Sequence, residues 1–291
     1  MLSIDVVRAC LGGPEFPFLV EDALKELTGQ AWTKLNTECG VSTADYGTGR
    51  VLLCDNSAER TLLATVRISL NDGATSIGVE LLTKEVAQRY QTKGISFYSP
   101  EEVSCAGVLD CLNEAIEVLG RVAGISLPIS LLVRSLHLIH SEQEDCDISF
   151  SEPHLPFSIF VSVSTRRVRN DALRVAEGIL HEAMHLHLTL IERVVPLAVP
   201  GSSKYFSPWR NEHRTAQGVL HAIYVFRAIH YFYCKLSSAL IRPDDMDYIR
   251  KRLAQIGEQL GQVRSFADCI DLTNEGRHLA RLMLDQERWV Y

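Results

Sequence analysis

Residues 171–195 carry apolar side chains at positions 172, 176, 179, 180, 183, 190, 191 and 194, the stripe of an amphipathic helix, and Pro196 stops it. A helix of that length with one apolar face has to lie on a core. Within it stands His181-Glu182-Ala183-Met184-His185. Imidazoles four residues apart sit about 40° apart round the axis and roughly 6 Å along it, on one face where a single divalent ion reaches both. The run therefore constrains fold and chemistry together: a packed helix presenting a metal-binding face. The bland alternative is a histidine-rich helix surface, and with ten histidines in the chain the pattern arises by chance in roughly a few per cent of such sequences.

The rest of the chain is read around that helix. After a loop with Pro200, Gly201 and Pro208, residues 215–241 run helical and apolar up to Pro243, and two more helical patterns occupy about 244–262 and 272–288. Upstream, Ser135–Ile139 and Phe157–Val163 are strand-like, the second placing Phe157, Ile159, Val161 and Val163 on one face by period two. Before them, strand-like runs (Arg50–Leu53, Leu62–Leu70) alternate with helical ones (Val20–Leu27, Glu101–Ala123), joined by turn clusters such as Asn71-Asp72-Gly73. The expected fold class is α+β. Residues 1–130 form a mixed α/β region, a candidate for pairing a peptide strand with a sheet edge. Residues 131–291 form a mostly helical metal-binding catalytic region.

Composition narrows the function. With 291 residues, 46% apolar and 22% charged, disorder is excluded and a sizeable core is expected. A net charge of −7 with no basic stripe leaves no footprint for a phosphate backbone, so nucleic acid is not an expected partner. The eight cysteines show no Cys-x-x-Cys and no framework spacing, and read as reduced thiols. No signal-peptide pattern opens the chain and no apolar run reaches membrane-spanning length, so a cytoplasmic enzyme without a membrane partner is expected. Oligomeric state is left open, a homodimer included.

A metal held firmly and still open to reagents needs a third protein ligand. His221 is the choice, because on the second long helix it shares a face with Gly218, Tyr224, Val225, Ala228 and Phe232 that must turn inward. Its plain reading is a hydrogen-bonded core histidine. Glu212 is the reserve ligand, with a solvated loop carboxylate as its plain reading. Glu192 shares the histidine face but lies about 10 Å along the axis from His185, within reach only of an ion pair or of a ligand's outer side. Glu182 is a general base for water in one reading and a supporting carboxylate in another. His187 points away from the ligand face and, with His137, His140, His213 and His230, reads as structural. Tyr224, Phe226, Tyr231, Phe232 and Tyr233 read as core. His140-Ser141-Glu142 matches the His-x-Glu half of an iron-oxygenase triad but lacks β-rich surroundings. In Ser207-Pro208-Trp209-Arg210-Asn211-Glu212-His213-Arg214, Arg210 and Arg214 supply planar forks suited to a carboxylate, against a plain reading as surface salt bridges.

The runs Glu177-Gly178-Ile179-Leu180-His181-Glu182-Ala183-Met184-His185, Tyr205-Phe206-Ser207-Pro208-Trp209-Arg210, and Arg214 with Gly218-Val219-Leu220-His221-Ala222 resemble the His-Glu-x-x-His proteins encoded beside ribosomal peptide natural-product precursors. The resemblance is dense from about residue 150 to 230. Members of that family are iron(II)- and 2-oxoglutarate-dependent peptide β-hydroxylases. The resemblance implies His181, His185 and His221 as iron ligands, Arg210 or Arg214 as the partner of the distal carboxylate of 2-oxoglutarate, and a precursor peptide as substrate. Where the family has proline after the second arginine, this chain has Thr215. Three neutral imidazoles would leave the metal's +2 charge for a dianionic cosubstrate to balance, which suits iron(II) with 2-oxoglutarate. The alternative is a cytoplasmic zinc metallopeptidase with Glu182 as its base. A metal-stabilised binding module without turnover is the third reading.

Overall fold

The computed structural model describes residues 4–12, 16–39, 61–70, 73–82, 84–104, 106–140, 147–152, 157–164, 169–236 and 243–285. Over them the chain is α+β. In order it forms α1 (Ile4–Gly12), α2 (Glu21–Cys39), β1 (Thr61–Leu70), β2 (Gly73–Leu81), α3 (Lys84–Gln91), α4 (Pro100–Val103), α5 (Ala106–Gly120) and α6 (Ser126–Leu132). There follow β3 (Ser135–His140), β4 (Ser149–Ser151), β5 (Ser158–Val163), α7 (Asp171–Glu192), β6 (Tyr205–Ser207), β7 (Glu212–Arg214), α8 (Ala216–Lys235), α9 (Pro243–Gln262) and α10 (Asn274–Leu284). The strand-like run Arg50–Leu53, the turn residues Asn71 and Asp72, and the pair Ser141 and Glu142 lie outside the described residues.

The chain divides into two compact units, residues 28–186, and residues 1–27 with 187–291. Residues on both sides of position 130, where the sequence reading sets a boundary, belong to the first unit. The reason is strand pairing. β2 lies parallel to β3, with Gly78 opposite Ser135 and Val79 opposite Leu136, so strands from before and after that position share one sheet.

That sheet has the order β1-β2-β3-β5-β4, parallel at β2–β3 and β3–β5 and antiparallel at both ends. β1 alternates as an edge strand should: Val66 and Ile68 are buried while Thr65, Arg67 and Ser69 face out. β5 does not alternate. Every one of its residues is buried, because a parallel strand inside a sheet is covered on both faces, so burial extends beyond the face that Ile159, Val161 and Val163 share. Phe160 stacks on Phe150 at 4.3 Å between ring centres and packs with Tyr90, Phe97 and Ile139. Phe157 lies just before the strand with φ of 59°, set edge-on against Trp32.

The second unit is mostly helix. The segment read as loop between the two long helices is in fact a short hairpin, in which β6 and β7 pair Tyr205 with Arg214 and Ser207 with Glu212. Asn211 takes a left-handed turn conformation, φ 52°, that asparagine tolerates better than most residues. α8 starts on Thr215, whose hydroxyl accepts the Gly218 amide and so works as a helix cap. The aromatic cluster of α8 is core in part: Tyr224, Phe232 and Tyr233 are buried, while half-buried Tyr231 packs on Phe16. Among the described residues no helix is long and apolar enough to cross a membrane.

Buried histidines of this unit make its stability acid-sensitive. His187 is fully buried and shares a 2.7 Å hydrogen bond with the Tyr224 hydroxyl; burial pushes its pKa down to about 3. Burial, and then the charge of Arg227, pushes His230 down to about 4. In the unfolded chain both rings take up a proton below about pH 6.5, whereas the folded chain resists it. Their contribution is therefore complete above that pH and is lost as pH falls, until about 4 for His230 and about 3 for His187. Urea unfolding of metal-free protein at pH 7 and pH 5 should show a loss on the order of 3–4 kcal/mol. An unchanged midpoint would remove these rings from the account, and a His230→Gln variant should lose less than the parent.

Candidate metal centre

The local sequence explains why α7 offers its histidines where it does. The helix opens at buried Asp171, whose carboxylate accepts the Ala172 amide at 2.8 Å after Asn170 has turned the chain at φ 61°. Its stripe of Ala172, Ala176, Ile179, Leu180 and Ala183 is buried. At Gly178 a Cβ would meet Ser149 Cβ and Val161 Cγ1, both at 3.7 Å, so the helix rides close over β4 and β5. That seating leaves His181 and His185 at the flank, half-buried, with rings edge to face.

Their Nε2 atoms are 3.2 Å apart. Two nitrogens bound to one ion at about 2.0–2.1 Å, with an angle near 90–110°, stand about 3.0–3.4 Å from each other. The pair fits a shared divalent ion, and in the metal-free chain one ring must donate to the other. Glu182 is 3% exposed, with Oε1 3.9 Å from His181 Nε2. The Ser149 hydroxyl donates to that same Oε1 at 2.8 Å. Sequence reading missed Ser149, because a three-residue strand more than thirty positions upstream carries no spacing signal.

His221 lies on α8 in the helical unit, its side chain 13% exposed. It donates from Nε2 to Glu192 Oε2 at 2.9 Å, and the same oxygen accepts Gln217 Nε2 at 2.7 Å. Glu192 is thus the ion-pair partner that its distance from His185 along α7 allowed. Arg210 is exposed on the β6–β7 turn. Arg214 Nε is 3.5 Å from Glu212 Oε1 with both side chains well exposed, an arrangement worth little in water. Glu212, the reserve ligand, is therefore a surface ion-pair partner here. Beside them Trp209, which the sequence reading passed over, lies flat on Phe226, ring centres 5.1 Å apart and planes within 4°. An aromatic in a polar loop, facing another on the next helix, was the signal available.

Among the described residues, His137, His140 and His213, read as structural, each have a partner. His137 is buried, its Nδ1 3.0 Å from the Glu80 carbonyl. His140 stacks on Tyr98 at 4.0 Å and lies 3.4 Å from Glu102, and exposed His213 sits edge-on to Phe206. The structure thus brings His181, Glu182 and His185 together in one unit, while Arg210, Arg214 and His221 belong to the other. Among the described residues no group of three or more His, Cys, Asp or Glu side chains is placed to hold a metal ion. Compared with protein-family models the chain matches none, and no curated protein matches it.

Proposed function

We propose that the chain is an iron(II)/2-oxoglutarate-dependent hydroxylase acting on a side-chain β carbon of a ribosomally made precursor peptide. The observation that carries the metal is the imidazole pair on α7, its Nε2 atoms 3.2 Å apart at a half-buried flank. The resemblance of residues 177–185, 205–210 and 214–222 to the peptide β-hydroxylases turns that metal toward iron and supplies His221 as third ligand. Bound by these histidines, iron(II) with 2-oxoglutarate and dioxygen would supply the oxidation that replaces C–H with C–OH, yielding succinate and carbon dioxide.

The chain's own residues have distinct tasks in this reading. His181 and His185 present neutral nitrogens at a spacing set before the metal arrives, which lowers the ordering cost of binding. Arg210 or Arg214 receives the far carboxylate; Arg210 is exposed, and Arg214 would exchange Glu212 for it. Ser149 holds Glu182, and Glu182 acts as a buried carboxylate beside the ligands. A zinc peptidase would use that same carboxylate as its base toward water, so the two readings part on 2-oxoglutarate dependence. Among the described residues the thiols of Cys10, Cys234 and Cys269 are free, in keeping with a reducing compartment as the place of action.

Anaerobic reconstitution with iron(II) and 2-oxoglutarate should give a weak visible charge-transfer band, and succinate once oxygen and peptide are added. A zinc-loaded protein that cuts peptides and ignores 2-oxoglutarate would overturn the proposal. Ser149→Ala takes one donor from a buried carboxylate and should lower stability by about 1.5–3 kcal/mol. Measured by urea unfolding, that loss should largely vanish in a Glu182→Met background, which leaves the Ser149 hydroxyl no acceptor there; equal losses in both backgrounds would dissolve the link between the two residues.

A further inference from the structure

The helical unit contains a cleft of about 360 Å³, within the ~300–1000 Å³ range of ligand sites, over the segment that follows α7. Its floor is an incomplete sheet. Ala198 forms an antiparallel bridge with Leu272, closed by Val199 N–H to the Asp271 carbonyl (2.9 Å) and Thr273 N–H to the Leu197 carbonyl (3.1 Å). In a pair closed by its neighbours in this way, the residue between them turns its own amide and carbonyl away from the partner. Those two groups of Ala198 have no partner among the described residues. Pro196 and Pro200 flank it and cannot donate, so the open edge is one residue wide.

Two carboxylates line the same cleft, Glu192 and Asp271, and neither has a Lys or Arg in ion-pair range among the described residues. Asp271 accepts one hydrogen bond from the Tyr205 hydroxyl at 3.0 Å. Gly201 faces it so closely that a Cβ there would stand 2.8 Å from the carboxylate. The absent side chain keeps the acid uncovered, and Leu197 and Val199 add apolar wall.

We infer that this cleft binds an extended peptide carrying a basic side chain, whose backbone pairs with Ala198 and whose cation meets Asp271 and Glu192. An extended segment completes the edge with two main-chain hydrogen bonds, and a lysine or arginine supplies a counter-charge to Asp271 and adds to what Glu192 already takes from His221 and Gln217. That the occupant is the peptide to be modified rests on the function proposed above; binding itself does not, and it is measured here without metal or 2-oxoglutarate.

The probe is an end-blocked, fluorescein-labelled heptapeptide of alternating threonine and lysine, titrated by anisotropy against the full chain. Saturable binding is expected. The same peptide with every amide N-methylated should bind at least about tenfold more weakly, because it cannot pair with the edge. Asp271→Asn, which keeps the Tyr205 hydrogen bond, should weaken the lysine probe by about fivefold and leave a serine-for-lysine probe unchanged. Asp247→Asn, an exposed acid on α9, should change neither. No saturable binding, equal affinity for the N-methylated probe, or an Asp271→Asn titration that overlays the parent would each overturn the inference. If the cleft binds as stated while reconstitution yields no succinate, the function fails and the peptide site stands.

Discussion

A Gly276→Ala variant is expected to lose roughly 3 kcal/mol or more of stability, although alanine is the better helix former by about 1 kcal/mol. Gly276 lies in the first turn of α10, and its amide donates to the Thr273 hydroxyl that caps the helix at 3.0 Å. At that position of a capped turn, glutamate or glutamine is the usual choice. Here there is no room. An ideal Cβ would lie 1.9 Å from the Leu197 carbonyl oxygen and 2.8 Å from its carbon. Those atoms are backbone, and they are fixed: the Leu197 carbonyl accepts the Thr273 amide at 3.1 Å, and the Thr273 hydroxyl donates to Pro196 at 2.8 Å. To admit a methyl group the chain must open the bridge between 197–199 and 271–273 or tilt α10, losing hydrogen bonds either way. Gly257 on α9 provides the contrast, since its Cβ would meet nothing within 4 Å. Gly257→Ala should therefore stabilise by up to about 1 kcal/mol. Urea unfolding of the two variants at pH 7 should move in opposite directions; movement in the same direction would show that Leu197 yields readily. The binding edge at Ala198 depends on the same close approach, so peptide affinity should fall together with stability in Gly276→Ala.

What the sequence could convey follows from which signals are local. The 171–195 stripe with Pro196 behind it announces a helix, and α7 spans 171–192, because amphipathic period and proline act within a few residues. The His181–His185 pair is equally local, since helical geometry alone brings those rings to one face. Ser149 could not be read in the same way. Its tie to Glu182 exists only because Gly178 lets α7 settle over β4 and β5, a contact between segments some thirty residues apart. The strand at 158–163 misled for a related reason. Period two reports one covered face, whereas β5, an inner strand parallel to a β3 some twenty residues earlier, is buried on both. That strands from either side of position 130 share one sheet is likewise non-local, resting on the parallel pairing of β2 with β3. The hairpin of β6 and β7 was hidden by Pro208 and a run of charges that normally mark a loop, and three pairs with an asparagine turn were enough to form it.

His185→Ala should lower affinity for a divalent metal by about a hundredfold or more, since even groups that only orient a ligand are worth 10–100-fold in typical sites. His185 owes its place to helix geometry and a packed stripe rather than to any flexible loop, so the loss should appear with the fold intact. Zinc and cobalt, competed against a chromogenic chelator at pH 7, read the affinity directly; circular dichroism checks the helix. His181→Ala should match it, and the double variant should fall little further once the two-point chelate has gone, because one imidazole alone holds an ion weakly. His213→Ala, an exposed ring edge-on to Phe206, should keep the parent affinity and controls for loss of any surface histidine. His221→Ala separates what geometry supports from what the resemblance adds. In the parent its Nε2 serves Glu192, so ligation would require that hydrogen bond to open or the other ring nitrogen to bind. A loss equal to that of His185→Ala would make it the third ligand. Parent affinity in His221→Ala would leave the α7 pair as the metal-binding element and return residue 221 to a partner of Glu192. Parent affinity in His185→Ala itself would remove the metal from this chain, and with it the hydroxylase.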